Sequence, residues 1–306
     1  MNETPPPPAP LLPPLLPRLS VIADHYDVIL CDVWGVIHNG VSSFAKATDA
    51  LTTFRRRGGK VVLITNAPRP SEKVRAFLDQ LSVPRESYDQ IVSSGDVTVS
   101  LILERDGQTL AHIGPAQDRS LFEVAQRQSG RKLHFAPLAE ADFVVCTGLD
   151  DADRESPADY RPRLDLMGRR ALTMICANPD IVVEVGGTLV YCAGALAEAY
   201  AAIGGPVIQA GKPYPPIYHR ALAEAALARG IAQAALDKKR VLAIGDAMHT
   251  DIKGAQAMVL ASLFVTSGIH RAQLHAETPD RAAAAFHQFF EDTGFAPSFA
   301  TAELAW

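Results

Sequence analysis

Five side chains of complementary chemistry stand just beyond apolar runs in this sequence: the carboxylates of Asp32, Asp246 and Asp251, the cation of Lys212 and the hydroxyl of Thr65. In an open parallel sheet, ligands bind past the carboxyl ends of the strands, so residues in those places are the first candidates for a site. Asp32, with Gly35 close behind, follows the run 28–31, and Thr65 with Asn66 follows 60–64. Lys212 comes after 207–209, and Gly245, Asp246 and Asp251 come after 241–244. Each alone is ordinary, because an Asp at a strand end often caps a helix and a lone Lys is most often a solvated charge. Converging on one sheet edge, they form a set. Three clustered carboxylates repel one another unless a cation sits among them, and Mg²⁺ favours such oxygen ligands together with waters and a phosphate. Lys212 would then balance a phosphoryl group, while Thr65 and backbone N–H groups would hydrogen-bond its oxygens.

The elements needed to position these residues are legible in the hydrophobic pattern. From residue 27 onward short apolar runs alternate with amphipathic segments, the signature of a parallel α/β sheet. Strands are predicted at 28–31, 60–64, 207–209, 241–244 and 260–265, and helices at 44–57 and 217–229, the second stopped by Gly230. Ser71 is the expected cap of a further helix, whose buried face is Val74, Phe77, Leu78 and Leu81. Residues 107–205 carry strands of their own, at 110–113, 143–147 and 172–176, around a helix at 121–128. They read as an inserted α/β domain within a core made of 21–106 and 206–306. The segment 4–18, rich in proline and leucine, reads as a flexible or extended arm over residues 1–20, with a docking motif as the alternative.

Composition narrows the class. The chain has 306 residues, long enough for a large core, and its net charge of −5 argues against nucleic-acid binding, which calls for a basic surplus. The run Arg55-Arg56-Arg57 suits a helix C-terminus, where cations complement the dipole. Cys31, Cys146, Cys176 and Cys192 show no metal-binding spacing and read as small core residues. No apolar run approaches the length needed to cross a bilayer and no export signal is evident, so the expectation is a cytoplasmic protein without a membrane partner. The aromatic residues Phe286, Phe289 and Phe290 recur at helical spacing and are expected in a core. Contact between inserted domains would give a homodimer, although no apolar stripe demands one.

The segments Asp32-Val33-Trp34-Gly35-Val36, Val62-Leu63-Ile64-Thr65-Asn66, Gly211-Lys212-Pro213 and Gly245-Asp246 through Thr250-Asp251 resemble, in order, the four motifs of the haloacid dehalogenase superfamily. An insert between the second and third motifs, with Asn178-Pro179-Asp180 inside it and Gly194-Ala195-Leu196 near its end, is similar to class IIA. That is the subclass of NagD-like and 4-nitrophenylphosphatase-like enzymes. The resemblance implies a Rossmann-like three-layer core with a C2-type α/β cap and a Mg²⁺-dependent hydrolase acting on a small phosphorylated metabolite. Asp32 would be the nucleophile that becomes an aspartyl phosphate, Thr65 would hold phosphoryl oxygens, and Lys212 would stabilise both. Asp32, Asp246, Asp251 and the backbone carbonyl of Trp34 would hold the metal. Asn66, Gly35, Asn178 and Asp180, with the loop at Gly186-Gly187, are the candidates for contact with substrate. Asn-Pro-Asp reads equally well as a plain turn.

One position departs from the pattern. Where phosphatases of this kind carry a second Asp, which protonates the leaving alcohol and then activates water, this sequence has Trp34. Indole donates a hydrogen bond but carries no proton at neutral pH. Three readings follow: a phosphohydrolase using good leaving groups or a substitute acid, a metal-independent dehalogenase-like hydrolase, or a catalytically weak metabolite-binding or regulatory protein. The first is preferred because every other expected group is present. His38 is the nearest titratable side chain to the gap, though packing suits it better.

Overall fold

Apolar runs of four or five residues without polar interruption need cover on both faces of a sheet. In the computed structural model, which describes residues 12–185, 188–274 and 279–306, they receive it. The chain begins with β1 (Leu15–Leu16), β2 (Val28–Asp32), α1 (Ala45–Arg56), β3 (Lys60–Thr65), α2 (Ser71–Gln80), β4 (Gln90–Ser93) and α3 (Ser94–Leu103). A second group follows: β5 (Thr109–Ile113), α4 (Ser120–Ser129), β6 (His134–Phe135), β7 (Phe143–Cys146), α5 (Arg161–Arg169) and β8 (Thr173–Cys176). It continues with β9 (Val182–Val185), β10 (Thr188–Tyr191), α6 (Ala193–Ala202) and β11 (Val207–Gln209). The last group is α7 (Pro215–Arg229), β12 (Val241–Gly245), α8 (Lys253–Ala257), β13 (Ala261–Val265), α9 (Arg271–Leu274), α10 (Pro279–Thr293) and β14 (Phe299–Thr301).

The first and last groups share one parallel sheet in the order β1-β14-β13-β12-β2-β3-β4. Side chains alternate across it with the two-residue period of a strand. Ile29, Cys31, Val61 and Leu63 pack toward α1 and α2, while Val28, Leu30, Val62 and Ile64 pack toward α7 and α8. The result is the expected three-layer, Rossmann-like α/β arrangement. The middle group forms a second parallel sheet, β11-β8-β7-β5-β6, and a separate antiparallel hairpin of β9 and β10. Helix α3 joins the two sheets, since Val97 packs in the core under α7 while Val99 and Ile102 pack with α4.

Three expectations change. β11 pairs with β8 in the second sheet, not with the main one, because three apolar residues carry no information about which sheet they join. The N-terminal segment does not stand apart throughout: residues 1–11 lie outside the described residues, but β1 runs along the sheet edge against β14. The Pro14 carbonyl accepts from Ala300 N–H at 3.0 Å, which suits an edge where proline's missing donor is no loss. Ser71 is not a cap: its N–H and hydroxyl both donate to Asp96 Oδ1, at 3.0 and 3.2 Å. Asp96 in turn forms a capping box with Ser93 that starts α3. The cysteines are free and buried, and Phe289 and Phe290 are core residues with Phe286 beside them. No described helix is long and apolar enough to cross a membrane.

Candidate active site

Adjacent strands β2, β3 and β12 deliver Asp32, Thr65 and Asp246 to one end of the main sheet, at a cavity of about 650 Å³. Asp32, Asp246 and Asp251 are all buried, with a ligating oxygen from each lying within 4.8 Å of the others. A wide turn at Met248–Ile252 brings Asp251 back under Asp246, and Asp251 Oδ2 accepts from Ala247 N–H at 3.1 Å. The packing leaves no room for side chains on the glycines here. A Cβ on Gly35, whose φ is +81°, or on Gly268 would collide with the Asp246 carboxylate, and one on Gly245 with Asp251.

Lys212, 2% exposed, holds the centre. Its Nζ lies 2.7 Å from Asp32 Oδ1 and 2.6 Å from Asp251 Oδ1. Burial alone would lower the affinity of this amine for its proton, but the Asp251 and Asp32 charges outweigh it and hold the pKa well above the usual lysine value. Two of the carboxylates also have raised pKa values, which favours their neutral form. Burial, then the Asp251 charge, pushes Asp32 well above the carboxylate range against the pull of Lys212, and the same two causes push Asp246 up to about 7. One ammonium among three buried carboxylates leaves a deficit of positive charge, and a divalent cation with oxygen ligands fits it.

Lys212 reaches the site by a route unlike the one the sequence suggested. It follows β11 of the second sheet, on the return crossover to α7, and Asn66 fixes it there. Asn66 Oδ1 accepts from Lys212 N–H at 2.7 Å, while Asn66 Nδ2 donates to the Lys212 carbonyl at 3.1 Å and to Asp180 Oδ1 at 2.9 Å. Asp180 therefore faces the cavity, its pKa raised by burial and partly restored by Lys212. Asn178 does not line the cavity: its Oδ1 accepts from Asp180 N–H at 3.0 Å, so the turn reading of Asn-Pro-Asp holds for this residue. Gly186 and Gly187 lie outside the described residues. Thr65, 6% exposed, lines the cavity and accepts from Ala67 N–H at 3.2 Å.

Trp34 lines the mouth and lies against Gly40, where a Cβ would strike the indole rim. His38 does not line the cavity. It is 2% exposed, stacks edge-on between Trp34 and Phe77 at 5.0 and 5.5 Å, and burial pushes its pKa down to about 4. Its Nδ1 accepts from Gly40 N–H at 2.9 Å, which leaves the proton of the neutral ring on Nε2. The segment Ser267, Gly268, Ile269 and Arg271, beyond β13, also lines the cavity. The reading of strand ends stopped one strand short of it, although the same rule pointed there. Ile269 N–H donates to Asp246 Oδ2 at 2.7 Å.

Residues 29–127 match a family described as haloacid dehalogenase-like hydrolase, and residues 209–291 one described as HAD-hydrolase-like. A hydrolase of the haloacid dehalogenase-like family from Brucella suis 1330 is 40% identical in sequence, with a TM-score of 0.82 over 95% of this chain and 100% of that one. The D-glycerol 3-phosphate phosphatase of Mycobacterium tuberculosis is 27% identical over 258 residues, 83% of this chain and 67% of the relative. A 4-nitrophenylphosphatase from Thermotoga maritima shares the fold, with a TM-score of 0.65 at 22% identity over 92% of this chain and 96% of its own. The charge-deficient carboxylate cluster thus lies in a fold and a sequence context of one kind, and the chain belongs to the haloacid dehalogenase-like hydrolases.

Proposed function

We propose that the protein is a Mg²⁺-dependent phosphohydrolase of small phosphorylated metabolites, working through an aspartyl phosphate on Asp32. The observation that carries this reading is Lys212 Nζ bridging Asp32 and Asp251 among three buried carboxylates at the cavity floor. Asp32, Asp246, Asp251 and the Trp34 carbonyl would hold Mg²⁺, which would neutralise charge on the phosphoryl group and on the carboxylates. Asp32 attacks phosphorus, a P–O bond to the carboxylate forms, and the bond to the leaving oxygen breaks. Water then attacks phosphorus, the bond between phosphorus and the Asp32 oxygen breaks, and phosphate leaves with the protons of the water, which regenerates the carboxylate. Thr65, Asn66 and the backbone around Gly35 orient the phosphoryl oxygens, and Lys212 offsets the negative charge that would otherwise repel the ester. Residues 107–205 with β11 serve as the cap, and Asp180 and the hairpin face the substrate from that side.

Trp34 sets the leaving-group preference. Without a side chain to protonate the departing oxygen, alkyl esters lose general-acid help worth about 10²- to 10⁴-fold, whereas aryl phosphates leave without it. A panel of aryl and alkyl phosphates, assayed with Mg²⁺ and after chelation, tests the proposal. Expected are turnover of aryl esters, loss on chelation, and loss in Asp32→Asn. Absence of turnover across the panel, or an Asp32→Asn variant as active as wild type, refutes it. Haloacid turnover surviving chelation would instead identify a dehalogenase-like enzyme.

A further inference from the structure

Arg271 is the second cation on the cavity wall besides Lys212, and the two differ in their engagement. Lys212 is held by two carboxylates, whereas Arg271 is exposed and makes no ion pair among the described residues. Its backbone is nevertheless tied to the reaction centre. Ile269 N–H donates to Asp246 Oδ2 at 2.7 Å, Gly268 packs against that same carboxylate, and His270 Nε2 accepts from Met248 N–H at 3.3 Å. On the strand side, Thr266 and Ser267 N–H groups donate to the carbonyls of Thr301 and Ala302 at 2.9 and 3.1 Å. Such a frame fixes the backbone from which Arg271 lines the cavity, whose facing hairpin contributes apolar Val182 and Val183.

A cation with five donors and no carboxylate partner among the described residues, placed where a phosphorylated molecule would lie, is suited to bind an anion in a two-point fork. Lys212 and the proposed metal serve the phosphoryl group, so the anion facing Arg271 is a different one. We propose that Arg271 binds a second anionic group of the substrate, a carboxylate or a second phosphate, and so selects phosphomonoesters whose leaving group is itself charged. This rests on the phosphohydrolase reading for the word substrate, but the binding preference does not depend on turnover.

Phosphonates, whose carbon–phosphorus bond is not an ester, separate the two. With excess Mg²⁺, calorimetric titration of wild-type protein with phosphonopropionate, propylenebisphosphonate and neutral-tailed propylphosphonate should show at least one compound with a second anionic group binding about tenfold or more tighter than propylphosphonate. In Arg271→Gln the ratio should fall to about one, with the melting temperature confirming that the variant is folded. The compound that loses more identifies the second group as carboxylate or phosphate. Equal affinities in wild type, or a preference that survives Arg271→Gln, overturns the proposal. Turnover of 4-nitrophenyl phosphate, lost in Asp32→Asn, is measured separately. Its absence alongside a preserved, Arg271-dependent preference would remove the hydrolase reading and leave the anion site standing.

Discussion

In the proposed reaction Trp34 bears on one step, the departure of the leaving group, and not on the attack by Asp32. The Asp32 carboxylate keeps its partners, Lys212 at 2.7 Å and Val33 N–H at 2.7 Å, and neither contact involves the indole. Under the phosphohydrolase proposal, the effect of Trp34 would belong to leaving-group departure and water activation. Trp34→Asp should raise turnover of alkyl phosphates relative to aryl phosphates, by up to about 10²- to 10⁴-fold if proton transfer limits the wild type. The readout is the dependence of kcat/KM on leaving-group pKa, which should be steep in wild type and shallower in the variant. An unchanged slope would show that protonation is not limiting. Because the indole packs on His38 and Gly40, a melting curve accompanies the kinetics. At this scale much could be read from sequence. Asp32, Thr65 and Asp246 were legible because each stands at the end of an apolar run, and Asp251 because it follows such a run within one short turn, whereas Arg271 is an ordinary surface residue until its loop is seen docked on Asp246.

Elements were legible where hydrophobic period and length agreed, and less so where a tertiary partner decided. α7 ends at Gly230 in the left-handed conformation, as its composition foretold, while β11 and β14 are three-residue strands defined only by the sheets they join. The cap of α3 is another such case, since Ser71 and Ser93 both bond to Asp96 and only the second begins a helix with it. Burial within an element also fixes a pH response. On β5, His112 Nε2 pairs with Thr147 Oγ1 at 2.9 Å and its ring meets Phe122 edge-on, and burial pushes its pKa down to about 4 from 6.5. The unfolded ring takes up a proton near pH 6.5 and the folded ring only near 4, so the unfolded state gains between those values. Stability should be fully expressed above pH 6.5 and decline as pH falls toward 4. His112→Gln should flatten that part of the melting-temperature profile, and a profile of unchanged slope would show that His112 stays uncharged through unfolding or titrates normally when folded.

At the scale of the whole molecule the two sheets are joined by contacts between residues distant in sequence, which no local pattern could announce. Arg69, just past β3, meets the buried carboxylate of Asp118 at 3.1 Å, and Asn66 meets Asp180 at 2.9 Å across 114 positions. Gly194 and Gly211 leave space for this meeting, since a Cβ on the first would strike the backbone of Pro179 and Asp180, and on the second the Asn66 amide. Asn66 is thus both the tie between the sheets and the support of Lys212. If these two tasks are one, Asn66→Ala and Asp180→Ala should not add. Asn66→Ala leaves the buried Lys212 N–H without its acceptor and should cost about 1–3 kcal/mol, and should also lower kcat/KM through a displaced ammonium. Asp180→Ala removes the bond between the sheets together with a carboxylate that lines the cavity. A double-mutant cycle on unfolding free energy should give a coupling of about 0.5–3 kcal/mol, with a matching non-additivity in kcat/KM. Additivity in stability alone would mean the tie is not energetically linked to the fold. Additivity in kcat/KM alone would mean that Lys212 is held in place without help from Asp180, so that the Asn66–Asp180 contact orders the hairpin side of the cavity and not the Lys212 ammonium.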